Sequence, residues 1–409
     1  MFAEFFLSAF PEPVRAGLGL FFSLAPIWLP IFLAVAFSRL WLTYVRAKFE
    51  SEQEHVLLEI KLPRYNDKSP IAMEAIFSML HSKSGESTFI DRWILGKSRA
   101  YFSVELVSTE GQVHFYIWTR TTFRRLITSS FYAYYPDIEV IEVPDYTRQI
   151  QFDMNEYGIF GGHFMLTQPD PVPIKTYIDY GLDRSAEDTE RVDPLASMLE
   201  YLGSAGPGEH IWYQIIIRHN RAEKRVKGGV RLRDWKQEAK DYARSIYDDP
   251  EMIEVKNDGE VTKKLSKTQT DLIDAVYRSI AKQGFDAGYR GFYLAKREIF
   301  SREMTQGVFQ TLKAFNSERF NNFAPQNFSY KLDYPWEDFR NMRQRSLDYR
   351  LFDAFRRRSW FFSPYRYKYY VLNTEELATL WHIPGSDVRT PNLQRVPSAR
   401  AEAPSNLPT

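Results

Sequence analysis

Between Ala16 and Ser38 the chain carries no charged side chain, and Leu18, Leu20, Phe21, Phe22, Leu24, Ile27, Leu29, Ile31, Phe32, Leu33 and Val35 fill most of the run. At about 1.5 Å per helical residue this stretch is long enough to cross a hydrocarbon core of about 30 Å. A soluble amphipathic helix would need a polar face, and the run has none. Pro26 and Pro30 would break a soluble helix but are tolerated in a spanning one, as a kink. Trp41 and Tyr44 supply an interfacial belt, and Arg39, Arg46 and Lys48 follow, whereas the N-terminal flank offers only Arg15 beside Glu4 and Glu12. By the positive-inside rule the long C-terminal part lies in the cytoplasm. Ala34-Val35-Ala36 would suit a signal peptidase, but the basic n-region is weak, the run is long and basic residues come after it. The expectation is a single-pass anchor over residues 1–50, spanning about 16–38, in the cytoplasmic (inner) membrane.

The rest of the chain has the means to fold. Hydrophobic residues make up 44% of the protein, ample for a packed core, and the absence of cysteine excludes disulfides, thiol catalysis and cysteine-ligated metals. Val56, Leu58, Ile60 and Leu62 alternate with Leu57, Glu59 and Lys61, the period of a half-buried strand. Ser69-Pro70 reads as an N-cap with proline at the first helical position, and Ala72, Met73, Ile76, Phe77 and Leu80 follow at helical spacing. After a polar loop, Phe102, Val104 and Leu106, a turn at Ser108–Gly111, and Val113, Phe115 and Ile117 read as a hairpin. A helix over Phe123–Tyr135 and a strand over Ile138–Val143 complete the order β-α-β-β-α-β. That is the ferredoxin-like arrangement, with both helices on one face of an antiparallel sheet and Glu59, Lys61, His114, Tyr116 and Trp118 on the other.

A second, weaker copy comes next: a strand near Gly162–Gln168, a helix capped by Asp193-Pro194, the strand Ile211–Arg218, a strand at Gly291–Lys296, a helix from Ser301 to about Phe315 and a closing strand at Phe328–Leu332. An insertion over about 220–284 carries helix signals at Arg233–Ile246 and Ser266–Lys282, where Ser266 and Gln269 form a capping box. The expected class is α+β: a transmembrane helix, a ferredoxin-like (βαββαβ) domain over 51–150, a second over 151–340 with the helical insertion, and a basic aromatic segment with an extended tail over 341–409. In that last stretch Asn373 and Glu376 form another capping box for a short helix through Leu380, and from Ile383 the chain turns rich in Pro, Ser, Arg and Ala.

Motifs that would carry chemistry are scarce. Gly96-Lys97-Ser98 resembles the end of a phosphate-binding loop, but Asp91 stands where its first glycine belongs and a strand comes after it. Gly203–Gly208 lies between helix and strand, the wrong order for a dinucleotide fingerprint. The seven histidines show no metal-ligand spacing, and no G-x-S-x-G elbow occurs. An RNA-recognition reading of the first unit would need stacking aromatics on the open face, for which Tyr116 and Trp118 qualify, and a glycine-aromatic motif that is missing. The reading is no enzyme, no metal, no cofactor and no small-molecule substrate.

Charge, by contrast, is segregated. The totals nearly cancel, 53 Lys+Arg against 52 Asp+Glu, yet Arg218–Lys240 holds nine basic residues against three acids and Arg340–Lys368 nine against two. Basic side chains interleaved with aromatics suit phosphate neutralisation with base stacking, and anionic lipid headgroups are an equally physical partner. The candidate contact residues are Arg221, Lys224, Arg225, Lys227, Arg231, Arg233, Arg356, Arg357, Arg358, Arg366 and Lys368.

Several stretches carry a resemblance: Leu57-Leu58-Glu59-Ile60-Lys61-Leu62-Pro63 with Ser69-Pro70, Tyr134-Tyr135-Pro136-Asp137, Asp193-Pro194-Leu195, Gly208–Gln214, and above all Leu372–Pro384 with its N-T-E-E-L-A-T-L core, joined by Thr390-Pro391-Asn392 and Asn406-Leu407-Pro408. From about residue 16 onward the chain resembles the membrane-anchored N-terminal region associated with bacterial type IV secretion and conjugative DNA-transfer ATPases of the HerA–FtsK class. In that family the N-L-P stretch leads into a P-loop motor, whereas this sequence stops at Thr409, so no ATPase residue or activity is carried over. A separately encoded motor, a degenerate paralogue and a truncated frame all fit. The resemblance implies a non-catalytic membrane subunit that docks a P-loop ATPase at the cytoplasmic face and itself forms a homo-oligomer. The residues alone also support a membrane-tethered protein whose basic aromatic segments bind nucleic acid, DNA included.

Overall fold

Proline and apolar patterning set the N-terminal architecture. A computed structural model describes residues 12–63, 66–82, 85–86, 88–183, 192–221, 224–225, 232–247, 253–255, 261–263, 265–326 and 336–385. Helices α1 (Glu12–Ser23) and α2 (Ala25–Ser51) meet at Leu24, just before Pro26 in the first turn of α2, while Pro30 is accommodated inside it. Helix α2 is long and apolar enough to cross a membrane, and none of its apolar stretch is buried.

The chain divides into two units, one of residues 1–53 with 84–99 and the other of residues 54–83 with 100–409. In the second unit the alternation beginning at Val56 forms β1 (His55–Lys61), followed by α3 (Ile71–Leu80). Pro70 rather than Ser69 occupies the cap position of α3; the Ser69 hydroxyl instead donates to the Leu182 carbonyl at 2.6 Å. The stretch read as a polar loop contains a short helix, α4 (Phe89–Trp93), which belongs to the first unit and is fixed by a Thr88–Asp91 capping box. Then come the hairpin β2 (Tyr101–Thr109) and β3 (Gln112–Arg120), helix α5 (Arg124–Tyr134) and β4 (Glu139–Val143).

The second run of elements is β5 (Tyr157–Leu166), α6 (Pro194–Gly203) and β6 (Glu209–His219), with Asp193 capping α6 as its sequence suggests. The insertion supplies the short pairs β7 (Lys224–Arg225) with β8 (Leu232–Arg233) and β9 (Ile253–Val255) with β10 (Val261–Lys263), and helices α7 (Trp235–Tyr247) and α8 (Lys267–Ala281). Strand β11 (Gly284–Lys296) starts seven residues earlier than the alternation suggests. Its glycines hide it: an added Cβ at Gly288 would lie 2.0 Å from the Trp360 ring. Helix α9 (Arg302–Gln310) and β12 (Phe323–Gln326) come next; the expected closing strand at 328–332 lies outside the described residues. The C-terminal stretch adds α10 (Met342–Arg356), β13 (Tyr370–Asn373) and α11 (Thr374–Leu380), the last opened by the Asn373–Glu376 capping box.

Among the described residues nine strands form one antiparallel sheet in the order β12-β5-β11-β6-β2-β3-β1-β4, with β13 paired to the start of β11. Each half repeats one order, its fourth strand beside its first, then its third, then its second. The halves join through their second strands, β2 against β6, from Tyr101↔Arg218 to Thr109↔His210. One face buries Leu58, Phe77, Val104, Ile117 and Phe131 in one half and Leu199, Tyr213, Ile215, Tyr289 and Phe315 in the other. The opposite face packs Leu57, Val107, Trp212, Phe292 and Leu294 against Leu351, Phe352 and Phe355 of α10. Burying both faces explains why runs such as Ile215-Ile216-Ile217 lose the polar alternation of a one-sided sheet.

Candidate functional site

A single rung of polar side chains crosses the α10-covered face. Strand register places Glu59 beside Tyr116, Tyr116 beside Glu105, Glu105 beside Gln214, Gln214 beside Arg290 and Arg290 beside His163. A low-dielectric interior demands that such groups satisfy one another. Gln214 Nε2 donates to Glu105 Oε1 at 2.7 Å, and Arg290 Nε donates to Gln214 Oε1 at 2.7 Å. The covering segment completes the set. Arg290 also donates to the Ala354 and Ser359 carbonyls at 2.7 and 3.1 Å, and Arg358 Nε donates to Glu105 Oε1 at 3.0 Å. Arg358 further reaches Asp145 at 3.1 Å, and Tyr146 donates its hydroxyl to Glu105 Oε2 at 2.7 Å.

The charges balance inside: Arg290 and Arg358 against Glu105 and Asp145. Burial pushes Arg290 down to about 9. Burial also opposes the Arg358 charge, yet Glu105 and Asp145 override it and hold the guanidinium above its ordinary range. Asp145 is likewise favoured to protonate by burial but held below the usual carboxylate range by Arg358 and by Thr147. The network therefore fastens α10 and residues 357–369 onto the sheet. The aromatics available to stack on a base are occupied: Tyr116 stacks on Tyr146 and Trp118 on His55, with centroids 5.0 and 4.2 Å apart.

Solvent reaches the site where this cover meets the sheet edge. A cleft of about 630 Å³ is lined by His55, Trp118, Glu142, Asp145, Arg148 and Arg356–Arg358, among others. Asp353 accepts from Arg356 at 3.0 Å, Arg357 at 2.8 Å and the Tyr365 hydroxyl at 2.9 Å. Burial would raise the Asp353 carboxyl, but Tyr365, Arg357 and Arg356 together hold it below the carboxylate range. Arg356 and Arg357 remain about half exposed, and Arg148 is exposed. Arg356 and Arg357 thus share the Asp353 carboxylate, and Arg148 adds a third guanidinium to a rim that Glu142 and Asp145 also line.

Behind the same edge lies a second cleft of about 570 Å³, lined by Arg124, Arg125, Thr128, Ser129, Tyr132, Val140 and Glu142. Arg124 pairs with Glu142 at 2.7 Å, tying α5 to β4. Among the described residues β4 pairs only with β1, so its outer backbone edge is open except for the Tyr132 hydroxyl, which lies 3.5 Å from the Val140 amide. The other end of the sheet, β12, carries Pro325, which blunts strand addition. The chemistry on offer is recognition of an extended or anionic partner along β4.

Of the residues singled out from sequence, Arg356, Arg357 and Arg358 come together in this cleft, Arg358 as a buried anchor and the other two as its rim. Arg221, Arg366 and Lys368 are exposed and do not line it. Lys224, Arg225 and Arg233 lie on the β7–β8 pair, and Lys227 and Arg231 lie outside the described residues. Arg124, Arg125 and Arg148 escape sequence reasoning. Arg124 and Arg125 open α5 while Arg148 follows β4, so the three form no single charge run in the sequence. Among the described residues no group of His, Asp and Glu could hold a metal ion. The chain matches no protein-family model and no curated protein.

Proposed function

We propose that this protein is a non-catalytic, single-pass subunit of the inner membrane that docks a P-loop ATPase of the type IV secretion or conjugative DNA-transfer class at its cytoplasmic face. The body is read as two ferredoxin-like units joined edge to edge, and the subunit as a homo-oligomer matching its ATPase. The observation that carries this reading is the open strand β4, flanked on both sides by arginine-lined clefts, in a chain whose N-terminal helix can span a bilayer. An open edge supplies main-chain hydrogen bonds to an added strand, and the arginines select an acidic or polar partner segment. The Leu372–Pro384 stretch that carries the resemblance packs into the body as β13 and α11, with Trp381 donating to the Glu105 carbonyl at 3.2 Å. Purification from membranes after mild crosslinking tests the proposal. Co-recovery of a P-loop ATPase in stoichiometric amount supports it, and a monodisperse protein without one contradicts it.

The exposed guanidiniums of Arg148, Arg356 and Arg357 on one cleft rim favour one second reading, a membrane-tethered nucleic-acid binder. Binding of a single-stranded oligonucleotide that weakens steeply with salt, and is lost on neutralising these arginines, would select it. Salt-independent behaviour or no binding would remove it.

A further inference from the structure

Resting on the reading of α2 as a membrane anchor, we propose that residues 88–99 form a second membrane contact, seated in the headgroup layer beside the anchor. The segment belongs to the same unit as α2, although β1 and α3 separate the two in sequence. Three contacts hold it there. Trp41 Nε1 donates to the Trp93 carbonyl at 2.8 Å, Arg46 pairs with Glu86 just before the segment, and Ser98 donates to Glu50. Gly96, at φ +62°, lies so close to α2 that a Cβ would sit 2.2 Å from the Val45 carbonyl oxygen, so only glycine permits this approach.

The segment then turns its apolar side chains outward. Phe89, Ile90, Ile94 and Leu95 are 72%, 57%, 61% and 48% exposed. Four large apolar side chains in seven residues form a patch that water disfavours. Their level along the anchor identifies what covers them. The uncharged run ends at Ser38, and Trp41, which holds the segment, stands three residues further on. At about 1.5 Å per residue that is about 4.5 Å beyond the hydrocarbon boundary, inside a headgroup layer about 5–7 Å deep. Trp41 and Tyr44 are themselves exposed at this level, as an aromatic belt requires. Polar groups sit where lipid headgroups would meet them: Arg92 is exposed, and Lys97 is tied to Asp91 at 2.8 Å. An apolar patch continuous with the anchor, with a basic rim, has the chemistry of an interfacial element that binds the acyl–headgroup boundary of anionic lipid.

The absence of native cysteine allows a direct test on the full chain. Single variants Ile90→Cys and Ile94→Cys carry a nitroxide and are reconstituted into phosphatidylcholine–phosphatidylglycerol vesicles. Leu33→Cys reports on the anchor, and Tyr277→Cys, exposed in the other unit, reports on water. The ratio of collisions with oxygen to collisions with a water-soluble nickel chelate is expected to be severalfold higher at residues 90 and 94 than at 277, and highest at 33. A water-like ratio at 90 and 94 with a hydrocarbon-like ratio at 33 overturns the second contact and leaves the anchor standing. A water-like ratio at 33 overturns the anchor and the second contact with it.

Discussion

Arg358 and Glu105 stand 253 positions apart in sequence, yet their side chains meet at 3.0 Å in the interior, with Arg358 2% exposed and Glu105 fully buried. The contact fastens the C-terminal cover to the strand through which the first half of the sheet joins the second. Replacing Arg358 with Met leaves two carboxylates, Glu105 and Asp145, without their cation. A cost of about 3–5 kcal/mol is expected, since removing one partner of a buried pair strands the other. Urea unfolding of the solubilised protein reads it, and a loss below about 1 kcal/mol would show that the network does not hold the cover.

The cover also depends on a residue without a side chain. Trp360 occupies the space where a Gly288 side chain would stand, and the Trp360 indole donates to the Lys368 carbonyl at 3.2 Å. Gly288→Ala is expected to destabilise by about 1–3 kcal/mol through overpacking. Protease cleavage within 357–369 should accelerate in this variant, while cleavage in the α7–α8 insertion should not.

Acid stability should be set in part by His163. Burial, with the nearby Arg290 charge, holds its imidazole down to about 3. Below pH 6.5 the unfolded chain binds a proton there that the native ring refuses. The His163 contribution therefore falls by about 1.4 kcal/mol per pH unit from about 6.5 toward about 3. His382 runs the other way: burial opposes its charge, but Asp193 raises it, so its contribution is present at low pH and lost as pH rises through its native value. Glu376, pushed up to about 8 by burial, also contributes at low pH and loses that contribution as pH rises through about 8. His163→Phe should flatten the acid limb by about one proton and leave the alkaline limb unchanged. Denaturation midpoints measured across that range give both slopes.

The rim arginines should separate stability from function. Arg148→Glu reverses one exposed charge of the cleft but leaves the buried pair of Arg358 with Glu105 and the pairs of Asp353 intact. The melting temperature should shift little. Retention of the proposed ATPase partner should fall markedly. Unchanged retention would move the docking surface away from this cleft.

Much of the fold is legible in the sequence because local signals agree with tertiary ones. Strand alternation around Val56 and Val104 and the capping boxes at Ser266 and Asn373 all appear where expected. Strand β11 begins early because Gly284, Gly288 and Gly291 lower strand propensity while permitting contact with Trp235, Trp360 and Tyr213. Helix α4 escapes because five residues are too few for a periodicity. The site is harder to see. The arginine triplet at 356–358 is visible in sequence, but only the fold divides it into a buried anchor and two rim residues, and only the fold brings Arg124, Arg125 and Arg148 to the same edge.

The most direct test places a photocrosslinking residue at Glu139, exposed on the outer strand β4, in the full chain within its native membrane. The same residue at Arg366, exposed elsewhere on the body, serves as the comparison. The account predicts a crosslink to a P-loop ATPase from residue 139 and none from residue 366. Irradiation that yields no ATPase adduct from residue 139 would contradict it.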